Sequence, residues 1–107
     1  FLKAKRSLFQ KYSNIFKLTK EINIFKENTH SKSNYWLQTL ILKNKNKNLK
    51  NKILKECYKK NIYARPVWKL ISDLKPYKNK QKMNLTGARE IYDRVINLPS
   101  SQGIIIK

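Results

Sequence analysis

Apolar residues recur along this chain in two rhythms: a helical spacing of about 3.6 residues, and short near-continuous runs. In the opening segment FLKAKRSLFQKYSNIFKLTK, Leu8, Tyr12 and Ile15 fall at i, i+4 and i+7, with Phe9 and Phe16 beside them. That pattern predicts an amphipathic helix over residues 1–20. A polar connector without periodicity, KENTHSKSN, comes after it. The run YWLQTLILK then has the length and composition of a strand covered on both faces. Beyond the solvated turn NKNKNLKNK, Leu49, Ile53 and Cys57 repeat at i, i+4 and i+8, widened by Leu54 and Tyr58. This second helix is expected to end near Asn61, a residue that tolerates a left-handed helix terminus. IYAR resumes as a strand, and Pro66 limits further ladder pairing.

Strand, helix, strand is the order of a β-α-β unit. A loop region, VWKLISDLKPYKNKQKMN, should hold one short helical turn between Leu70 and Leu74. A final helix is predicted from about Leu85 to Asn97, where Leu85, Ala88, Tyr92 and Val95 recur at i, i+3, i+7 and i+10. Asn84 and Thr86 are its candidate caps, and Pro99 closes it. The tail GIIIK is expected to be extended and to need a surface to pack on. The expected fold class is α/β, more narrowly an α+β small domain: helix-strand-helix-strand-helix around a small mixed sheet. At 107 residues the chain is one domain at most. Met83 is its only methionine and Phe1 already lies in the first helix, so the sequence reads as a piece of a longer protein.

Charge changes this picture less than its size suggests. The formal net charge is +19 and the isoelectric point is near 10.2, values that invite a polyanionic partner such as RNA. The cations, however, are overwhelmingly lysine, with arginine only at positions 6, 65, 89 and 94. Lys, Asn and Ile are abundant while Gly, Ala and Pro are scarce, which is the skew of AT-rich codons acting on tolerant surface positions. Nucleic-acid interfaces favour arginine for bidentate and stacking contacts. A small basic RNA-binding protein therefore stands as the alternative reading, and no nucleic-acid partner is expected. No apolar stretch has the length of a membrane span, so no membrane partner is expected and a reducing cytoplasm is the expected location. Cys57, alone, can form neither an internal disulfide nor a cysteine metal cluster.

A complete active site is not legible. His30 has no ligand or carboxylate partner at useful spacing, and Gly87 and Gly103 form no phosphate loop. Glu90 and Asp93 share a helix face but are flanked by Arg89 and Arg94, as in surface ion pairing. No metal site is expected. The distinctive stretch is NIYARPVWKLISDLKPY. Arg65 stands at a strand end before a Pro-led loop, with Trp68 and Tyr77 behind it. Strand ends of α/β folds collect ligand groups, and arginine beside aromatics suits an anionic ligand bearing flat or sugar rings.

SNYWLQTLIL, RPVWKLISDLKPYKN and NLTGAREIYDRVINLPSS, in that order, resemble the C-terminal part of the DegT/DnrJ/EryC1/StrS family of sugar aminotransferases. FLKAKRSLFQKYSNIF resembles the family helix that precedes the small domain. The resemblance implies the C-terminal domain of a fold type I enzyme, with residues 1–20 leading into a small domain over 21–107. It also implies pyridoxal phosphate as cofactor, a nucleotide-sugar substrate of the UDP-linked 4-keto-6-deoxy type, glutamate as usual amino donor, and a homodimer. The family's Schiff-base lysine lies upstream of these motifs, so no lysine here is assigned that role and the piece by itself is expected to be inactive. Arg65 and Trp68, in RPVW, are the implied substrate-binding residues; Tyr35 and Tyr77 are further candidates.

Overall fold

The sheet forms where apolar residues alternate most regularly. In β2 (Gln38–Leu42) the even-numbered residues are buried and the odd-numbered ones half-buried. β4 (Val95–Leu98) runs antiparallel to it, pairing Gln38 with Leu98, Leu40 with Ile96 and Ile41 with Val95. Directly opposed residues share a face, so Leu40, Leu42, Ile96 and Leu98 form one continuous core surface. β1 (Ile22–Ile24) adds antiparallel to the outer edge of β2 and contributes Ile22 and Ile24 to that face. β3 (Arg65–Pro66) pairs with the other side of β4, giving the order β1-β2-β4-β3. The computed structural model describes residues 1–104; Ile105, Ile106 and Lys107, most of the tail GIIIK, lie outside the described residues.

Two helices cover the core face. α1 (Leu2–Phe16) sends Tyr12 and Phe16 onto it, and α2 (Lys47–Lys59) sends Leu49, Ile53 and Leu54. The stripe of α1 differs from the expected one. Lys5, Leu8, Tyr12 and Phe16 face inward at i, i+3, i+7 and i+11, while Ile15 is exposed. The helix also stops at Phe16, short of residue 20. Asn46 caps α2, its side-chain oxygen accepting from the Leu49 N–H at 3.0 Å. At the other end Asn61 has φ 57°, as its sequence position predicts. The Ile62 N–H donates to the Cys57 carbonyl at 2.8 Å and the Asn61 N–H to that of Tyr58 at 3.0 Å. These two bonds make a Schellman closure, which turns the chain back toward β3.

The predicted final helix is split in two. α3 covers Thr86–Arg94, and Val95 follows at once in extended conformation, so Val95, Ile96 and Asn97 belong to β4 rather than to a helix. The β-branched pair Val95–Ile96 fits both periodicities locally. The strand wins because Ile96 is fully buried between β2 and β3. The expected strand IYAR contracts to the two residues of β3, with Pro66 inside it. Proline is tolerated because β3 is an edge strand. β2 and β3 are each antiparallel to β4, hence parallel to one another with β4 inserted between them. The β-α-β unit is therefore split, and every adjacent pair is antiparallel where a mixed sheet was expected. The single turn expected near Leu70–Leu74 is the 3-10 turn Ile71–Asp73, and a second covers Lys75–Tyr77.

The connector before β2 is fixed by one acidic side chain. Glu27 takes the Arg6 guanidinium with both carboxylate oxygens and also accepts from the Ser33 N–H, while Arg6 donates to the Ser33 carbonyl at 2.8 Å. Those bonds, the Arg6 side chain first, hold the Glu27 carboxyl at about 2, well below its ordinary 4.5. Asp73 and Asp93 are lowered in the same way by Arg89 and Lys45.

Ile96→Ala should cost about 2–5 kcal/mol by opening a cavity at the sheet centre. Urea unfolding would read this as a lower midpoint at unchanged slope. Acid stability follows from Glu27. With its folded-state value depressed, ionised Glu27 stabilises the fold above pH 4.5, and that contribution is lost as pH falls toward 2. Thermal melts across that window should show a shallower fall in Tm for Glu27→Gln than for the native chain. Equal slopes would mean that the Glu27 bonds do not contribute.

Candidate functional site

β3 and the segment after β4 form the walls of a cleft of about 600 Å3, lined by Tyr63, Arg65, Trp68, Asn97, Ser100 and Ser101 above an apolar floor. Register places Arg65 there. It pairs with Asn97, whose side chain meets Thr39 at 3.3 Å on the face of the sheet turned away from α1 and α2. Edge position leaves Arg65 exposed. Its surroundings differ from those of the other arginines. Arg6 binds Glu27, Arg89 binds Asp73 bidentately at 2.9 and 3.0 Å, and Arg94 binds Glu90 and the Leu42 carbonyl. The Arg65 side chain makes no hydrogen bond or ion pair among the described residues. A guanidinium held at a strand edge with its donors free is suited to a carboxylate or phosphate ligand.

Aromatic surface stands beside it. Trp68 is 69% exposed and Trp36 65% exposed, and their rings meet at a centroid distance of 6.2 Å with a tilt of 57°. A large indole left this open on the wall of a cleft, as Trp68 is, can stack on a flat or sugar ring. Tyr63, 72% exposed, adds a phenol to the rim. Beneath, α1 ties down the segment after β4: the Tyr12 hydroxyl donates to the Pro99 carbonyl at 2.9 Å, and the Lys5 ammonium donates to Ser100.

Of the four residues singled out in the sequence, the structure brings Arg65 and Trp68 together in this cleft. Tyr77, in the second 3-10 turn, does not line it. Tyr35 is 4% exposed and has a packing role. Its ring stacks on Phe9 at 4.3 Å and lies 5.3 Å from the Arg6 guanidinium, and its hydroxyl accepts from the Glu27 N–H. It also precedes β2 rather than opening it, with φ 47°, a left-handed backbone sustained by these surrounding contacts. Trp36, Tyr63, Ser100 and Lys5 were not singled out. Lys5 had a signal: it lies three residues before Leu8 on the apolar stripe of α1, hidden among many other lysines.

The cleft does not suit every group the fold could serve. Among the described residues no lysine and no carboxylate lines it, so they offer it neither an amine for a Schiff base nor an anion for a pyridinium nitrogen. The two lysines buried among the described residues have their ammonium groups engaged: Lys5 with Ser100 and the Trp36 carbonyl, Lys50 with the Tyr92 carbonyl at 2.8 Å. The described residues thus do not form a pyridoxal-phosphate site. Among them no group of His, Cys, Asp and Glu is placed to hold a metal ion. Among the described residues no helix is long and apolar enough to cross a membrane.

Comparison with solved structures gives the fold a wider setting. TlmJ, an aminotransferase from Streptoalloteichus hindustanus, superposes with a TM-score of 0.83 at 13% identity, over 98% of this chain and 28% of its own. Helicobacter pylori PseC, an aminotransferase involved in the biosynthesis of pseudoaminic acid, gives 0.84 at 22% identity, over 98% and 29%. The sugar aminotransferase CalS13 from Micromonospora echinospora gives 0.79 at 12% identity, over 97% and 27%. The chain thus spans less than a third of the length of these structures. No curated protein matches the sequence. The sequence profile of the DegT/DnrJ/EryC1/StrS aminotransferase family matches residues 1–105, and the chain belongs to that family.

Proposed function

We propose that this chain is the substrate-facing small domain of a sugar aminotransferase acting on a nucleotide-linked 4-keto-6-deoxy sugar, with Arg65 holding the diphosphate. The observation that carries the reading is the Arg65 guanidinium, unpartnered among the described residues, in a cleft walled by Trp68, on which Trp36 packs. A diphosphate accepts two parallel N–H bonds from such a fork, and the indoles offer surface to the base or sugar. A volume of about 600 Å3 falls within the range of small-ligand sites. Tyr35 and Tyr77, which lie away from the cleft, are not part of this proposal.

Enzymes of this family depend on pyridoxal phosphate, which supplies the amine-transfer chemistry. We propose that the cofactor and its lysine are held outside this chain, because the related solved structures are more than three times as long. The part played here is binding and orientation. Fixing the diphosphate at one strand edge limits where the sugar carbonyl can lie and lowers the entropic cost of reaching the reacting geometry. Glutamate as donor, a homodimer, a cytoplasmic setting and a role in surface glycan biosynthesis complete the proposal. The involvement of PseC in pseudoaminic acid biosynthesis is in keeping with it.

In the complete enzyme, Arg65→Ala should raise KM for the nucleotide-sugar about tenfold to a hundredfold, since a charge-assisted hydrogen bond is worth roughly 1.5–3 kcal/mol. Cofactor absorbance should persist and kcat should change less than KM. An unaltered KM would remove Arg65 from the substrate site.

A further inference from the structure

Lys5 is 7% exposed, an unusual place for an ammonium group in a chain whose lysines otherwise sit mostly in solvent. Its three donors are fully used. They reach the Trp36 carbonyl at 3.2 Å, the Ser100 hydroxyl at 3.0 Å and the Ser100 carbonyl. The Ser100 hydroxyl in turn donates to the Trp36 carbonyl at 2.6 Å. The backbone carbonyl of Lys5 accepts from the buried Gln38 amide at 3.1 Å, which fixes this turn of α1 against β2.

The place of this knot in the sheet explains its form. Gln38 pairs with Leu98, and continuing the register by two residues would set Trp36 opposite Ser100. The ladder ends before that point, and Pro99 has no N–H to extend it. An ammonium and a hydroxyl stand where a strand rung would otherwise join the two segments. Both segments bear on the cleft: Ser100 lines it, and Trp36 packs on the lining residue Trp68.

We infer that Lys5 is a positioning residue for the cleft, an ammonium clamp that sets the spacing between the Trp36 and Ser100 segments and so the stance of the Trp36–Trp68 pair beside Arg65. It touches no substrate. The inference deepens the reading of the cleft as a nucleotide-sugar site and rests on that reading for its functional consequence. Its geometric content, the link between Lys5 and Trp36, holds without any ligand.

The test uses the complete protein labelled with 5-fluorotryptophan, the Trp36 and Trp68 resonances being assigned by single replacement with Phe. Lys5→Met keeps the unbranched side chain to within one atom of its length and removes its charge. With far-UV ellipticity retained, the Trp36 and Trp68 resonances should shift or broaden, and the Kd for uridine diphosphate should rise about fivefold or more. Ser100→Ala, which leaves the Lys5–Trp36 bond, should move the same resonances less. Native resonances or an unchanged Kd in folded Lys5→Met would overturn the inference. Should that variant fail to fold, Ser100→Ala decides, and unshifted resonances there count against the clamp. A native protein that binds no uridine diphosphate would instead fail the substrate reading, and the resonances alone would then judge Lys5.

Discussion

The antiparallel pairing of β2 with β4 is the constraint on which the rest of the structure depends. It joins two segments far apart in sequence and sets Leu40 against Ile96 at the centre of the core. Once that rung is made, the even-numbered face of β2 must be covered, and the apolar stripes of α1 and α2 cover it. The opposite face carries Thr39, Asn97 and Arg65 together with Ile41 and Val95. The same pairing carries the ends of both strands to one place, so that Trp36, Ser100 and the loop after β3 meet. Non-local pairing of this kind repays its loop-closure entropy only when the buried face is complete. That is why residues of both helices join the same core cluster as the strands.

The cations divide by environment rather than by number. Most lysines sit on the surface, and their excess follows composition. Lys5 and Lys50 are each 7% exposed and act as cross-links from helices to backbone carbonyls. A buried ammonium is costly unless its donors are satisfied, and three polar oxygens satisfy those of Lys5. Lys50 shows the strain of the same choice. Burial lowers its basicity, offset in part by Asp93, while the Tyr92 carbonyl and ring receive its charge. Arginine has been used differently: three guanidiniums bind carboxylates, and the fourth, at the cleft, has no partner among the described residues.

Edge position gives the site its character. A central strand would have paired both sides of Arg65 and excluded Pro66; at the edge, proline ends the ladder and sends Val67 and Trp68 into the cleft wall. The Schellman closure at Asn61 aims the chain toward that edge, so a local helix-ending signal helps set where Arg65 stands. Tyr35 illustrates the reverse. It adjoins the exposed Trp36 in sequence, yet the Arg6–Glu27 contact and the Phe9 ring enclose it, and only Trp36 is left to meet Trp68.

Periodic segments declared themselves in the sequence. The helical periods of α1 and α2, the Asn61 terminus, the core run of β2 and the isolation of Arg65 among lysines all depend on neighbours within a few residues, where composition and spacing carry the physics. The order of motifs was also enough to indicate the family. Tertiary structure alone decided what depends on distant partners. β1 is three residues whose strand character comes from β2; Val95–Asn97 satisfy a helical stripe and yield to the sheet because burial between two strands outweighs a local preference. Lys5 could not be told from its many equals until the fold enclosed it, since charge burial is a property of surroundings and not of spacing.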